Sequence, residues 1–86
     1  MSDLINLDEK RIIRDLLQGD YEITFHAQDR MFEREITPDD VTSCAKTVIS
    51  IQQHDGKFRV KGYDVAGEYL VIVCVWNGNT LIITLF

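Results

Sequence analysis

Three side chains able to bind phosphate and move protons recur at every fourth position in the middle of this chain: His26, Arg30 and Arg34. If residues 26–35 form a helix, a step of four residues turns the position by about 40°, so the three share an arc of roughly 80° and climb about 12 Å. Arginine is a bidentate donor to phosphate, and histidine transfers protons near neutral pH. One interpretation of this His/Arg stripe is therefore a bound phosphodiester beside a histidine that moves a proton.

A purely structural role explains the same spacing. Two arginines four residues apart repel each other by about 0.2–0.5 kcal/mol in an isolated helix, so something should offset them. A bound anion would do so, but so would ion pairs of Arg30 with Glu33 and of Arg34 with a carboxylate elsewhere. His26 could cap the preceding strand or lie in the core. The apolar residues expected on the buried side of this helix are Ala27, Met31 and Phe32.

A second set of cations alternates along residues 57–63. Asp55-Gly56 favours a two-residue hairpin turn, which places Gln52 opposite Arg59. One face then carries Ser50, Gln52, His54, Lys57, Arg59, Lys61 and Tyr63, and the other carries Ile49, Ile51, Phe58 and Val60. Lys57, Arg59 and Lys61 form a cationic ridge that would bind a phosphate backbone, and Tyr63 could stack on a base. Alternatively, the lysines protect an exposed strand from aggregation.

The elements that position these residues are predicted to be helices followed by strands. The helices cover residues 7–18, ended by Gly19, then 26–35, and then a third that starts at Thr37-Pro38 and buries Val41, Cys44, Ala45 and Val48. The strands cover 21–25, 48–54, 57–63, 68–76 and 80–86, and the apolar fourth of these is expected to be central. The fold class is α+β, with N-terminal helices packed on one face of an antiparallel β-meander. The aromatic residues expected in its core are Phe25, Phe32, Phe58, Trp76 and Phe86.

The bulk composition narrows the function classes. The 86 residues suit one domain spanning 1–86, and the net charge of −5 counts against a generic nucleic-acid binder. The charge is uneven, because residues 1–55 hold six Lys/Arg against twelve Asp/Glu, whereas residues 56–86 hold three against two. An anion site must therefore be a local patch. Cys44 and Cys74 are predicted to be reduced core thiols.

Other features argue against cofactors and membranes. Neither a Gly-rich phosphate loop nor a metal-ligand spacing is present, so no cofactor and no metal are expected. The longest apolar run, Tyr69 to Trp76, is far shorter than the ~20 residues of a membrane helix. The first six residues carry no export signal, so the chain is interpreted as a cytoplasmic protein without a membrane partner.

The segment His26-Ala-Gln-Asp-Arg30-Met-Phe-Glu-Arg34-Glu-Ile36-Thr37, followed by Asp40-Val41, resembles a signature from a widespread bacterial family of small proteins. That signature is His-Ala-x-x-Arg-Met-x-x-Arg-x-Ile-Ser/Thr, then an acidic residue and Val. Two later segments are similar to the same family: Lys57-Phe-Arg59-Val-Lys61-Gly62 and Ile82-Ile83-Thr84-Leu85-Phe86. The resemblance runs from about residue 21 to the end.

This family is usually grouped with the RelE/ParE/BrnT-like toxins of toxin–antitoxin pairs. The resemblance implies a metal-independent endoribonuclease that cuts mRNA, often on the ribosome, and is masked by a cognate antitoxin. It implies catalytic roles for His26, Arg30 and Arg34, and substrate binding by Arg59 and Lys61. ParE-type members inhibit a protein target instead, so a non-catalytic protein-binding module is the alternative. The chain departs from the toxins in being acidic and in closing on Phe86 where a hydroxylated aromatic is common.

Overall fold

The computed structural model describes residues 7–86, which form three helices and a five-stranded mixed sheet of the α+β class. The helices are α1 (Leu7–Gln18), α2 (Phe25–Arg34) and α3 (Pro38–Lys46), and the strands are β1 (Tyr21–Ile23), β2 (Ser50–His54), β3 (Lys57–Tyr63), β4 (Tyr69–Trp76) and β5 (Thr80–Leu85). The strand order is β1-β5-β4-β3-β2, so β4 is the central strand, as predicted. The first six residues, expected to carry no export signal, lie outside the described residues.

The predicted antiparallel meander is correct for β2 to β5 but wrong for the sheet as a whole. Strand β1 pairs with β5 in parallel, and the register aligns Tyr21 with Thr80 and Ile23 with Ile82. Consecutive strands joined by short turns must be antiparallel, whereas β1 reaches its neighbour only after the whole chain has folded back. The direction of β1 is therefore set by tertiary packing, which the local pattern does not contain.

The hairpin of β2 and β3 has the predicted register. Gln52 lies opposite Arg59, and the turn residues Asp55 and Gly56 both have positive φ, at 53° and 76°. Two consecutive positive φ values define the type I′ turn, whose twist matches that of the flanking strands. Every side chain of the two strands therefore lies on the face that the sequence assigned to it.

One face of the sheet packs against the helices. The buried cluster takes Ile12 and Leu16 from α1, Ala27 and Met31 from α2, and Val41, Cys44 and Ala45 from α3, against Phe58, Val60, Leu70, Ile72, Cys74, Ile82 and Leu85 of the sheet. Val48 packs against this cluster but follows the end of α3. Within residues 7–86, no helix is long and apolar enough to cross a membrane.

The predicted aromatic core is only partly correct. Phe58 is buried and Trp76 packs against the cluster, but Phe86 is exposed and Phe25 and Phe32 are 85% and 86% exposed. Phe25 was expected to end a strand of alternating residues. Instead, the Thr24 side chain accepts a hydrogen bond from the backbone N–H of Ala27 and starts α2 there, which turns Phe25 outwards.

Candidate functional site

Helix α2 positions the His/Arg stripe, and its first turn is anchored to the sheet. The Thr24 hydroxyl accepts from the backbone N–H of Ala27 (3.1 Å) and donates to the backbone oxygen of Ile83 (2.9 Å). The backbone N–H of Thr24 donates to the oxygen of Ile82 (3.0 Å). Capping and anchoring by one residue hold α2 against β5, so the stripe has a fixed position relative to that strand.

The three stripe residues lie at different depths. His26, in the first turn of α2, is exposed, Arg30 is half-buried, and Arg34 is exposed at the last helical position. The Nε atom of Arg30 is fully buried and has no hydrogen-bond partner among residues 7–86. Within that range none of the three forms an ion pair, so the predicted pairs of Arg30 with Glu33 and of Arg34 with another carboxylate are not formed. His26 is not in the core either.

The cationic ridge follows β3 on the opposite face from the buried cluster. Lys57 and Arg59 are exposed and Lys61 is half-buried, with Arg59 opposite Val73 and Lys61 opposite Val71 on β4. The two valines are only 6% and 4% exposed, although neither belongs to the main cluster. Because cross-strand neighbours lie side by side, we expect the aliphatic stems of Arg59 and Lys61 to cover these valines while the charged ends reach water.

Tyr63 lies at the end of this ridge and makes an aromatic pair. Its ring packs edge-on against Tyr69 across the strands, with centroids 6.1 Å apart and planes at 61°. Both tyrosines remain partly exposed. The pair stabilises the end of the hairpin, and it also offers aromatic surface beside Lys61, as base stacking requires.

An open concavity of about 570 Å³ lies beside the ridge and includes His54, which the sequence did not indicate as a site residue. It is lined by Gln52, Gln53, His54 and Arg59. Because His54 and Arg59 line the same concavity, a second imidazole stands near an arginine of the ridge, and His54 Nε2 also lies 3.3 Å from an oxygen of Asp55. The hairpin register placed His54 and Arg59 on one face, and that was the available signal. The concave shape depends on strand twist, which the alternation of residues does not encode.

The structure does not bring the His/Arg stripe and the cationic ridge into direct contact. Helix α2 packs against β5, and β4 separates β5 from β3, so the backbones of β3 and β5 are about 10 Å apart. A row of paired residues crosses this interval: Arg59 lies beside Val73, and Val73 lies beside Thr84 of β5. The Thr84 hydroxyl is buried and, like Arg30 Nε, has no hydrogen-bond partner among the described residues.

The two cysteines are buried free thiols, as predicted. Burial raises the pKa of each to about 12, with a smaller contribution from Asp64 at Cys44 and from Cys44 at Cys74. Both thiols are therefore protonated at neutral pH and cannot serve as nucleophiles. Among residues 7–86 no group of three or more His, Cys, Asp or Glu could hold a metal ion.

A family relationship follows from the sequence of this same region. One family model, described as "Domain of unknown function (DUF4258)", matches residues 23–86. The chain belongs to this family. No curated protein matches the chain, and no solved structure matches it either.

The DUF4258 match contains α2, α3 and strands β2 to β5, and it therefore contains both cation sets and the concavity at His54. Helix α1 and the first two residues of β1 precede it. The candidate site is thus built from the part of the chain that defines the family, whereas α1 supplies packing from outside the match.

Proposed function

We propose that this chain is the toxin-like component of a type II toxin–antitoxin pair, a cytoplasmic endoribonuclease of RelE/BrnT-like fold that cuts mRNA without a metal. The proposed catalytic residues are His26, Arg30 and Arg34, and the substrate would be held by Lys57, Arg59, Lys61 and Tyr63. The sequence resemblance described above supports the toxin class. The arrangement of helices on one face of the sheet is compatible with the fold of that class.

One observation carries the proposal: arginines remain without carboxylate partners in an acidic protein. Arg30, Arg34 and Arg59 form no ion pair within residues 7–86, although the chain has 14 Asp/Glu against 9 Lys/Arg. Arg30 is half-buried and forms no ion pair in that range, so its charge carries a desolvation cost that a bound anion would offset. Arginines kept available in this way suit a phosphodiester.

The chemistry would be transfer of a phosphoryl group within the RNA strand. His26 takes the proton from the 2′-hydroxyl, the 2′-oxygen bonds to phosphorus, and the bond to the 5′-oxygen breaks. The leaving 5′-oxygen takes a proton from water. The products are a 2′,3′-cyclic phosphate and a 5′-hydroxyl. Arg30 and Arg34 would stabilise the negative charge that develops on the phosphate.

The test is cleavage of a defined mRNA by purified protein in the presence of EDTA, with the ends of the products identified. We expect Arg30→Ala to lower the rate by about 10²–10³-fold, as the loss of one charge-stabilising donor does in other enzymes. The matched control is Arg11→Ala. Arg11 already engages the Trp76 ring at 4.7 Å and Asp8 at 3.5 Å, so its removal should leave cleavage unchanged.

The comparison of His26→Ala with His54→Ala shows which of the two imidazoles takes part in cleavage. Loss of cleavage only in His54→Ala would move the reaction to the concavity at Gln52 and Arg59. If wild-type protein cuts no RNA, alone or with ribosomes, and its induced expression does not slow growth, the toxin proposal fails.

A non-catalytic protein-binding module is the second candidate. It is favoured by the two exposed phenylalanines of α2, because large aromatic side chains in water are characteristic of binding surfaces. In that case the His/Arg stripe contacts a protein partner or supports the fold.

A further inference from the structure

The outer surface of α2 carries two phenylalanines that no part of the described structure covers. Phe25 and Phe32 are 85% and 86% exposed and stand seven residues apart. Seven residues turn a helix through almost two full turns, so the rings lie on one line about 10.5 Å apart along the axis. We call this line the phenylalanine seam. Such a spacing is that of successive anchor positions where one helix packs against another.

The seam is separate from the candidate RNA site. Arg30 lies about 140° around the helix from Phe25, so a partner seated on the seam leaves the His/Arg stripe on the far side. The seam is also unnecessary for the core, since α2 contributes Ala27 and Met31 to the buried cluster from another face. An isolated exposed apolar residue is ordinary, but two aligned phenylalanines are not.

Acidic side chains border the seam and indicate the charge of its partner. Asp29 lies between the two rings, about 40–60° to one side, and Gln28 lies at a similar angle on the other side. Glu33 lies in the last turn of α2, and Glu35 is the C-cap residue of this helix. All four are exposed, and the three carboxylates form no ion pair within residues 7–86. The whole chain, with a net charge of −5, adds a long-range field of the same sign.

We propose that the phenylalanine seam binds a basic amphipathic helix of another protein. Its apolar residues would pack on Phe25 and Phe32, and its Lys or Arg residues would pair with Asp29 and the glutamates that follow. A second copy of this chain fits less well, because a symmetric pair of α2 helices would bring Asp29 of each copy close together. An anionic lipid surface would be repelled by the same carboxylates. The inference sharpens the protein-binding candidate above and holds whether or not the chain cleaves RNA.

The test uses two synthetic three-heptad helical peptides that share a leucine seam. One carries Lys at the flanking positions and the other carries Glu. We expect the Lys peptide to bind at least tenfold more tightly by fluorescence anisotropy, with amide shift changes in ¹⁵N-labelled protein confined to α2. The double variant Phe25→Ser/Phe32→Ser should weaken this binding by at least tenfold without changing the melting temperature, because both rings are in water.

A second variant tests whether the carboxylates beside the seam select a basic partner. Asp29→Lys combined with Glu33→Lys should reverse the preference towards the Glu peptide. Val65→Ser is the matched control, since Val65 is 66% exposed in the β3–β4 loop, away from α2, and its replacement should leave binding unchanged.

Three results would overturn the proposal. The first is equal binding of both peptides, and the second is binding that survives in the Phe25→Ser/Phe32→Ser variant. The third is a phenylalanine-dependent dimer in sedimentation analysis, or phenylalanine-dependent binding to phosphatidylserine vesicles, since either would assign the seam to another occupant. The RNA cleavage assay separates this result from the proposed function, because the double variant should cut RNA at the wild-type rate.

Discussion

Helices α2 and α3 follow each other in the chain and cover the same face of the sheet, yet they use their polar side chains in opposite ways. Helix α3 is fastened at both ends: Asp40 accepts from the N–H of Val65 (3.0 Å), and the Thr47 hydroxyl accepts from the N–H of Tyr63 (2.9 Å). Helix α2 is anchored at its first turn through Thr24, and its charged and aromatic side chains remain without partners within residues 7–86. The difference indicates that α3 holds the fold together, whereas α2 leaves charged and aromatic side chains accessible.

Among the contacts of α3, the largest effect should come from Gly62, where this helix meets β3. A Cβ atom at this position would collide with the backbone oxygen of Cys44 and lie 3.1 Å from Thr47 Oγ1. Backbone cannot move aside as a flexible side chain can, so we expect Gly62→Ala to lower the free energy of unfolding by about 1–3 kcal/mol. Chemical denaturation measures this change in the free energy of unfolding, and hydrogen exchange should show α3 as the region that loses protection. An unchanged denaturation midpoint would show that α3 is less closely held than the contacts indicate.

A smaller effect, dependent on pH, is expected at the start of α3. Asp40 accepts from the backbone N–H of Thr37 (2.9 Å), and this hydrogen bond, followed by the one from Val65, lowers the pKa of its carboxyl. A group whose pKa is lower in the folded chain stabilises the fold above its unfolded value, which is about 3.9 for aspartate. That contribution is lost as pH falls through the folded pKa.

Asp40→Asn should therefore lower stability at pH 7 and flatten the pH dependence below about pH 4. Thermal melts across that range, compared with those of the exposed Asp39→Asn, provide the measurement and its control. If both variants keep the wild-type pH profile, the hydrogen bonds to Asp40 do not contribute to acid stability.

The smallest effect should come from the seam on α2. We expect Phe32→Ser to change the free energy of unfolding by no more than about 0.5 kcal/mol, because its ring is in water. Its neighbour Met31 is 9% exposed, and Met31→Ala should cost about 2–5 kcal/mol. Equal losses in the two variants would mean that the Phe32 ring is packed in solution, and the contrast between α2 and α3 would then weaken.

Local signals predicted much of this fold. The bounds of α1, the start of α3 at Thr37-Pro38 and the register at Asp55-Gly56 follow from caps, turns and periodicity, which act over a few residues. Their physical causes are contained in the segments themselves, so a reading of the sequence can identify them.

The wrong predictions share one cause: contacts between distant parts of the chain determine where β1 ends and which side chains of α2 are buried. The alternation of Tyr21, Ile23 and Phe25 predicted a longer strand, but the hydrogen bond between the Thr24 hydroxyl and Ile83, from the far end of the chain, helped to end it. The apolarity of Phe32 predicts a core position, but Ala27 and Met31 are the side chains that α2 buries, and Phe32 lies in water.

The candidate site was predicted in its parts but not in its assembly. The alignment of His26, Arg30 and Arg34 follows from helical spacing, and the face shared by His54 and Arg59 follows from hairpin register. The interval between the two sets depends on the order of strands in the sheet, and that order places β4 between the ridge strand β3 and β5, on which α2 packs. Sequence spacing contains no information on this interval.

Helix α1 packs against β5, yet it lies outside residues 23–86, which the family model matches. Asp15 of α1 is 3% exposed and accepts a hydrogen bond from the fully buried hydroxyl of Thr80 at 2.7 Å. The matched region begins at residue 23, so a fragment cut to it would lose this acceptor and also Ile12 and Leu16 from the core. The Thr80 hydroxyl and the apolar side chains that α1 covers would then be exposed to water, and the core would lose part of its buried apolar area. We therefore expect residues 23–86 alone to be less stable than the chain that includes α1.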